Sequence, residues 1–166
     1  MTIDTKAFGL IEVDEKQKLN IPQGILGFED YKEFVIIDAE HQPFLWLQSI
    51  EEKKLAFIII NPFLFRKDYE INITKDEEKQ IGLSSAENAL IFVIVTIPPD
   101  GSPMTANLQG PVVINKQSMT AIQAILSDTR WRTKHDIVAE LSQSAAGLQS
   151  GEGSRSLPAD ASKTGK

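Results

Sequence analysis

The chain contains no cysteine among its 166 residues. That excludes a disulfide framework, a thiolate metal site and a thiol nucleophile. Histidine is scarce as well. His41 and His135 are the only two, and neither stands in a metal-ligand spacing such as H-E-x-x-H. Long apolar runs are missing: the longest, residues 89–97, is interrupted by Thr96 and falls far short of the roughly 20 residues a membrane helix needs. The opening Met1-Thr2-Ile3-Asp4-Thr5-Lys6 is polar and acidic, without the charged-then-apolar pattern of a secretory signal. These absences lead to the expectation of a soluble, cytoplasmic protein. Phosphate-binding glycine motifs are lacking too, since there is no G-x-G-x-x-G and the only Gly-Lys pair is Gly165-Lys166. No nucleophile elbow is present. No cofactor is implied, and an enzyme is not expected.

The charge that is present is unevenly placed. Taking the three cations and two anions of residues 141–166 from the chain's 17 Lys+Arg and 23 Asp+Glu leaves 14 and 21 in residues 1–140, a net of −7. An acidic body argues against direct nucleic-acid binding, which rests on neutralising phosphates. It suits a basic partner, which it attracts and steers; plain solubility is the commoner reason for such a charge.

Two regions separate by composition. From Ser142 onward Ser, Gly and Ala dominate and large apolar residues almost vanish, a composition that buries too little surface to offset ordering entropy. The expected organisation is one β-barrel-like domain over residues 1–141 and a disordered tail over 142–166. Within the body the pattern is mainly β. Residues 7–13 partly alternate, and residues 34–37 form a short apolar run after a loop with Gly24 and Gly27. Residues 44–48 and 55–60 flank Glu51-Glu52-Lys53-Lys54 as a hairpin. Residues 89–97 read as a long central strand ended by Pro98-Pro99-Asp100-Gly101. Residues 112–114 and 121–126 form another hairpin, although Ile122, Ile125 and Leu126 also fit a helical face. One helix is well signalled: Thr74 and Glu77 make a capping box and Gly82 is placed to end it. A second short helix starts near Asp136. Many short strands, Gly/Pro turns and one or two small helices indicate a compact antiparallel β-barrel-like fold.

The densest chemistry lies in Asn61-Pro62-Phe63-Leu64-Phe65-Arg66-Lys67-Asp68-Tyr69-Glu70, where an apolar strand runs into a turn with aromatics, cations and carboxylates. A core strand that ends this way holds out a recognition surface. If the segment is extended, Phe63 and Phe65 share one face, as do Asp68 and Glu70. Either aromatic is a core residue or a partner anchor. The basic island Arg130-Trp131-Arg132-Thr133-Lys134-His135 either stacks on RNA or is a solvated loop whose Trp packs on the barrel, the favoured reading. Asn107 and Gln109 either satisfy turn backbone groups or read a partner's main chain. An acid–base site of Asp68, Glu70 and His135 requires a pocket that gathers all three.

In order and spacing, several of these segments resemble the bacterial flagellar assembly factor FliW family. They are Gly24-Ile25-Leu26-Gly27-Phe28-Glu29 with Phe34-Val35-Ile36-Ile37, Leu47-Gln48-Ser49, Phe57-Ile58-Ile59-Ile60-Asn61-Pro62-Phe63 with Asp68-Tyr69-Glu70, Thr105-Ala106-Asn107-Leu108-Gln109-Gly110-Pro111 with Ile114-Asn115, and Lys134-His135. Each piece is weak, and the ordered set, over roughly residues 3–137, is specific. Gly110 stands where Ala is expected, and Trp131 where Tyr is more usual. The resemblance implies a β-barrel-like, non-enzymatic protein that binds flagellin and the carbon storage regulator CsrA, an RNA-binding repressor of flagellin translation. Flagellin and CsrA compete, so secretion of flagellin frees the factor to capture the repressor. The candidate partner-contact residues, read from the segments themselves rather than carried over from the family, are Phe63, Phe65, Asp68, Tyr69, Glu70, Asn107, Gln109 and His135. A small β-barrel that binds RNA directly is the alternative.

Overall fold

A computed structural model describes residues 1–150, with side chains through Gln143. The elements in chain order are β1 (Thr2–Thr5), β2 (Gly9–Glu12), β3 (Leu19–Asn20), β4 (Glu33–Asp38), β5 (Leu45–Ser49), β6 (Ala56–Ile60), α1 (Lys75–Gln80), β7 (Ala89–Thr96), β8 (Thr105–Ala106), β9 (Val112–Asn115), β10 (Thr120–Gln123), β11 (His135–Asp136) and α2 (Ile137–Ser150). Strands β7, β6, β5, β4, β3, β10 and β9 pair in that order, and β9 pairs back to β7, closing a seven-stranded barrel. All its pairings are antiparallel except the short β3–β10 contact, Asn20 beside Thr120. Closure removes the sheet edges that would otherwise template association. The β1–β2 hairpin forms a separate sheet. It is tied to the barrel by the Lys6 N–H, which donates to Gln48 Oε1 at 2.9 Å.

Two apolar clusters divide the strand faces. One takes Leu19, Phe34, Leu45, Leu47, Ile59, Phe92, Ile114 and Ala121, a set drawn from all seven strands, and fills the barrel. The other takes Ile60, Val93, Val95, Val113 and Ile122 from one side of the barrel, together with Phe65, Tyr69, Ile81, Leu108, Leu126, Trp131 and Ile137 from segments that lie outside it. Neighbours along β6, β7, β9 and β10 therefore fall in different clusters, as the period of two requires. These strands are buried on both faces, which is why residues 89–95 read as an unbroken apolar run.

Helix α1 forms where its signals predict it. Thr74 accepts from the Glu77 N–H at 3.1 Å and Glu77 returns a bond to the Thr74 N–H at 2.8 Å. The helix ends as Gly82 N–H donates to Lys79 C=O and Leu83 N–H to Glu78 C=O, a Schellman closure. Residues 120–123 are strand rather than helix, in hairpin register with β9 (Ala121 beside Ile114).

Three expectations change. The polar opening is strand β1, and the strand expected over 7–13 begins only at Gly9 because residues 6–8 turn. The turn expected after β6 is present, but the condition under which Phe63 and Phe65 would share a face, an extended segment, is not met. Pro62–Leu64 form a 3-10 turn, so Phe65 goes into the core while Phe63 stays half-buried. Helix α2 continues past Ser142 to Ser150, and residues 151–166 of the expected tail lie outside the described residues.

The loop between β3 and β4 is unusually tight. Gly24 has φ +71°, and a Cβ there would meet Glu29 Cα at 2.6 Å, whereas Gly27 has φ +91° and open space around it. Gly24→Ala is expected to cost more than about 2 kcal/mol in urea unfolding, combining left-handed strain with a backbone clash. Gly27→Ala carries the strain alone, about 1–2 kcal/mol. Equal losses would contradict the clash.

Candidate protein-interaction site around Trp131

The 3-10 turn after β6 is set by Asn61, whose Oδ1 accepts the Phe63 N–H at 2.9 Å, and by Pro62, whose fixed φ suits a first helical position. The turn swings Tyr69 inward. Its hydroxyl donates to the Leu108 C=O at 2.5 Å. Burial pushes the phenol up from its ordinary value, so the hydroxyl stays a donor. The Tyr69 ring meets Trp131 edge-on, centroids 4.9 Å apart, and Phe63 lies 5.9 Å from Tyr69.

Trp131 is 1% exposed. The guanidinium of Arg66 lies over its ring at 4.9 Å and that of Arg130 at 4.8 Å, both within cation–π range. Each arginine is held by carboxylates. Arg66 donates Nε and Nη2 to Asp68 at 2.9 and 2.8 Å, and Nη1 to Glu140 at 3.1 Å. Arg130 donates to Glu70 at 2.6 Å and closes on Asp128 two residues earlier. The arginine bonds hold the Asp68 and Asp128 carboxyls below the usual aspartate range.

His135 is buried beneath this layer. Its Nε2 accepts the Arg132 N–H at 2.9 Å, so Nδ1 carries the proton and donates to Glu140 at 3.0 Å. Glu140 thus ties the first turn of α2 to both His135 and Arg66. Asn107 fills the turn role anticipated for it, its Oδ1 accepting from Gln109 and Gly110 N–H at 3.1 and 3.0 Å. Gly110 leaves room for two amides, because a Cβ there would sit 3.0 Å from Gln123 Nε2 and 3.1 Å from Asn107 Nδ2. The Arg132 C=O accepts from Leu108 and Gln109 N–H, joining this turn to the Trp131 loop.

All eight residues named from the sequence therefore lie in one layer, in two roles. Phe65, Tyr69 and His135 are interior, and Asn107 shapes a turn. Asp68 and Glu70 are exposed, and Phe63 and Gln109 partly so. Sequence reasoning passed over Arg66, Arg130, Asp128 and Glu140 as parts of the site. The only signal for them was the pair of arginines near the aromatics. Two alternatives lose their geometry. With Trp131 buried, the basic island offers no ring for a base to stack on. Asp68, Glu70 and His135 are each engaged by a different partner, Arg66, Arg130 and Glu140, rather than gathered around one pocket.

The arrangement is a closed β-barrel overlaid by an aromatic-backed, charge-bearing layer, a kind of surface suited to contacting a protein. Comparison with known proteins makes this specific. The family model described as "FliW protein" matches residues 2–137, and the chain belongs to the FliW family. It is 50% identical over 141 residues to a flagellar assembly factor FliW of Treponema denticola, covering 85% of this chain and 96% of that one. It is 46% identical over 146 residues to the flagellar assembly factor FliW of Treponema pallidum, covering 88% and 97%. A crystal structure of the flagellar assembly factor FliW superposes with a TM-score of 0.77 at 36% identity, over 82% of this chain and 96% of that chain. The relatives are named as assembly factors, not as enzymes. Among the described residues no helix is long and apolar enough to cross a membrane.

Tyr69→Phe leaves the buried Leu108 carbonyl unpaired and is expected to cost about 1–2 kcal/mol in urea unfolding; no loss would show that the bond contributes nothing. For Asp68 the folded-state value is depressed, so its contribution is present above the ordinary aspartate value and lost as pH falls through the folded value. Asp68→Asn removes that acid limb, and the gap in Tm between wild type and variant should narrow from about pH 5 to about pH 2. A constant gap would contradict the assignment.

Proposed function

We propose that this protein is a cytoplasmic partner-switching factor that binds flagellin and the carbon storage regulator CsrA in alternation, relieving CsrA repression of flagellin translation. Family membership over residues 2–137 carries this reading. The acid balance of the body supports it, because an RNA-binding regulator is basic where it meets RNA and an acidic partner is matched to it. Docked beside the regulator, the acidic body also repels RNA phosphates.

Within the Trp131 layer, Phe63, Asp68, Glu70 and Gln109 are the side chains a partner reaches. Phe65, Tyr69, Asn107 and His135 hold them in place. The outward charges of this layer are mixed, with Lys67, Arg130, Arg132 and Lys134 beside Asp68, Glu70 and Asp128.

The test is calorimetric titration with the cognate regulator, then again with flagellin present. Tight binding abolished by flagellin is expected. Binding to neither protein would overturn the reading. Phe63→Ala is expected to weaken binding to at least one partner by about 2 kcal/mol, the scale of an aromatic anchor, with folding retained because Phe63 is only half-buried. Unchanged affinity for both partners would remove Phe63 from the interface.

A further inference from the structure

The glycine loop between β3 and β4 meets the Trp131 layer through Gln123, which accepts the Leu26 N–H and donates to the Gly110 C=O, and it holds two apolar side chains in water. Leu26 is 70% exposed and Phe28 40% exposed. A lone exposed leucine is ordinary on a protein surface; this one stands on a loop fixed at every step. Gly24 N–H donates to Ile21 C=O at 2.8 Å, and Phe28 N–H to Ile25 C=O at 2.7 Å. Side chains take the two amides at the tip: Gln123 Oε1 accepts the Leu26 N–H at 2.9 Å, and Glu29 Oε2 accepts the Gly27 N–H at 3.0 Å. Ile25 is buried as an anchor. Phe28 packs edge-on against Phe57 at 5.3 Å, and Phe57 lies 6.4 Å from the barrel-filling Phe34. Leu26 is thus pre-positioned, and seating it in a pocket costs little ordering entropy.

The flank of this loop is acidic. Glu29, Asp30, Glu33 and Glu51 stand here with two lysines, Lys32 and Lys18, the latter paired with Glu33 at 3.3 Å. Glu51 is fixed there by accepting the Lys32 and Glu33 N–H groups. The Gly27 N–H holds the Glu29 carboxyl below its ordinary value, keeping it charged. The Trp131 layer is charge-mixed, so an acidic, apolar-tipped surface lies here instead.

We infer that the 24–30 loop is a second docking surface, on which Leu26 inserts into an apolar pocket of a basic protein partner while Glu29 and Asp30 meet cationic side chains at the pocket rim. This rests on the functional reading above and assigns the loop to the basic regulator rather than to flagellin.

The test titrates wild type, Leu26→Asp, Asp30→Lys and Ile97→Asp against the purified cognate regulator, and separately against flagellin. Ile97 is a control of similar character, 59% exposed at the end of β7. Thermal melting checks that each variant folds, as exposed substitutions should. Leu26→Asp should weaken regulator binding at least about tenfold, as loss of a central anchor does. Asp30→Lys should slow association and flatten its salt dependence. Ile97→Asp should leave affinity unchanged. If wild type binds and Leu26→Asp binds equally well, the docking inference fails while the functional reading stands. It also fails if Ile97→Asp loses as much, or if Leu26→Asp impairs only flagellin binding. If wild type binds neither protein, both fall.

Discussion

Strands β7 and β9 are apolar on both faces, and the arrangement outside the barrel follows from covering the second face. Val93, Val95 and Val113 point away from the barrel interior and must be shielded from water, at about 25 cal/mol for each Å² of apolar surface removed. The chain does this with segments of little regular structure: the turn after β6, the 106–110 turn and the loop leading to β11. Such segments carry backbone groups that no ladder satisfies. Tyr69 caps the Leu108 carbonyl, Asn107 takes two N–H groups, and His135 takes the Arg132 N–H. Trp131 lies among them, met by Arg66 and Tyr69 from the first segment and by Arg130 and His135 close to it in the chain.

The same layer shows how charge is used twice. Arg66 and Arg130 lie over the Trp131 ring and are held there by four carboxylates. Exposed ion pairs contribute little by themselves. Their effect here is geometric, because a fixed guanidinium over a buried ring orients the exposed carboxylates beside it. Asp68 and Glu70 are thereby held in set positions, an arrangement that would lower the entropy cost of recognition at this surface. A second acidic group, Glu29 and Asp30, stands on the glycine loop, which Gln123 links to the Gly110 turn of the layer built on Trp131.

Much of this was legible in the sequence, for identifiable reasons. The capping box at Thr74 and Glu77, the Pro-Pro-Asp-Gly stop after β7 and the two hairpins are local signals, and local signals fixed those elements. The family resemblance was legible in ordered short segments. The turn at Pro62 was legible, but its 3-10 form, which sends Phe65 inward and leaves Phe63 half-buried, was not, because Asn61-Pro62 leaves the geometry of the following residues open. The first strand was missed because Thr2–Thr5 is polar and short, and its partner lies beyond a turn. The division of the eight candidate residues into buried supports and exposed contacts was invisible, since it depends on Trp131, Arg130 and Glu140 arriving from distant parts of the chain. The role of Glu140 lay just inside the expected boundary of the tail, where composition alone drew no attention to it.

Hydrogen–deuterium exchange of the protein, alone and saturated with its cognate regulator, tests the account most directly. Slowed exchange is expected in residues 24–30, where the amides of Leu26 and Gly27 rest on side-chain acceptors, and in the turns at 66–70 and 128–132. The interior strands should be unchanged. Protection confined to other surfaces, with both regions exchanging as in the free protein, would contradict the claim that these rigid outer segments are what a partner recognises.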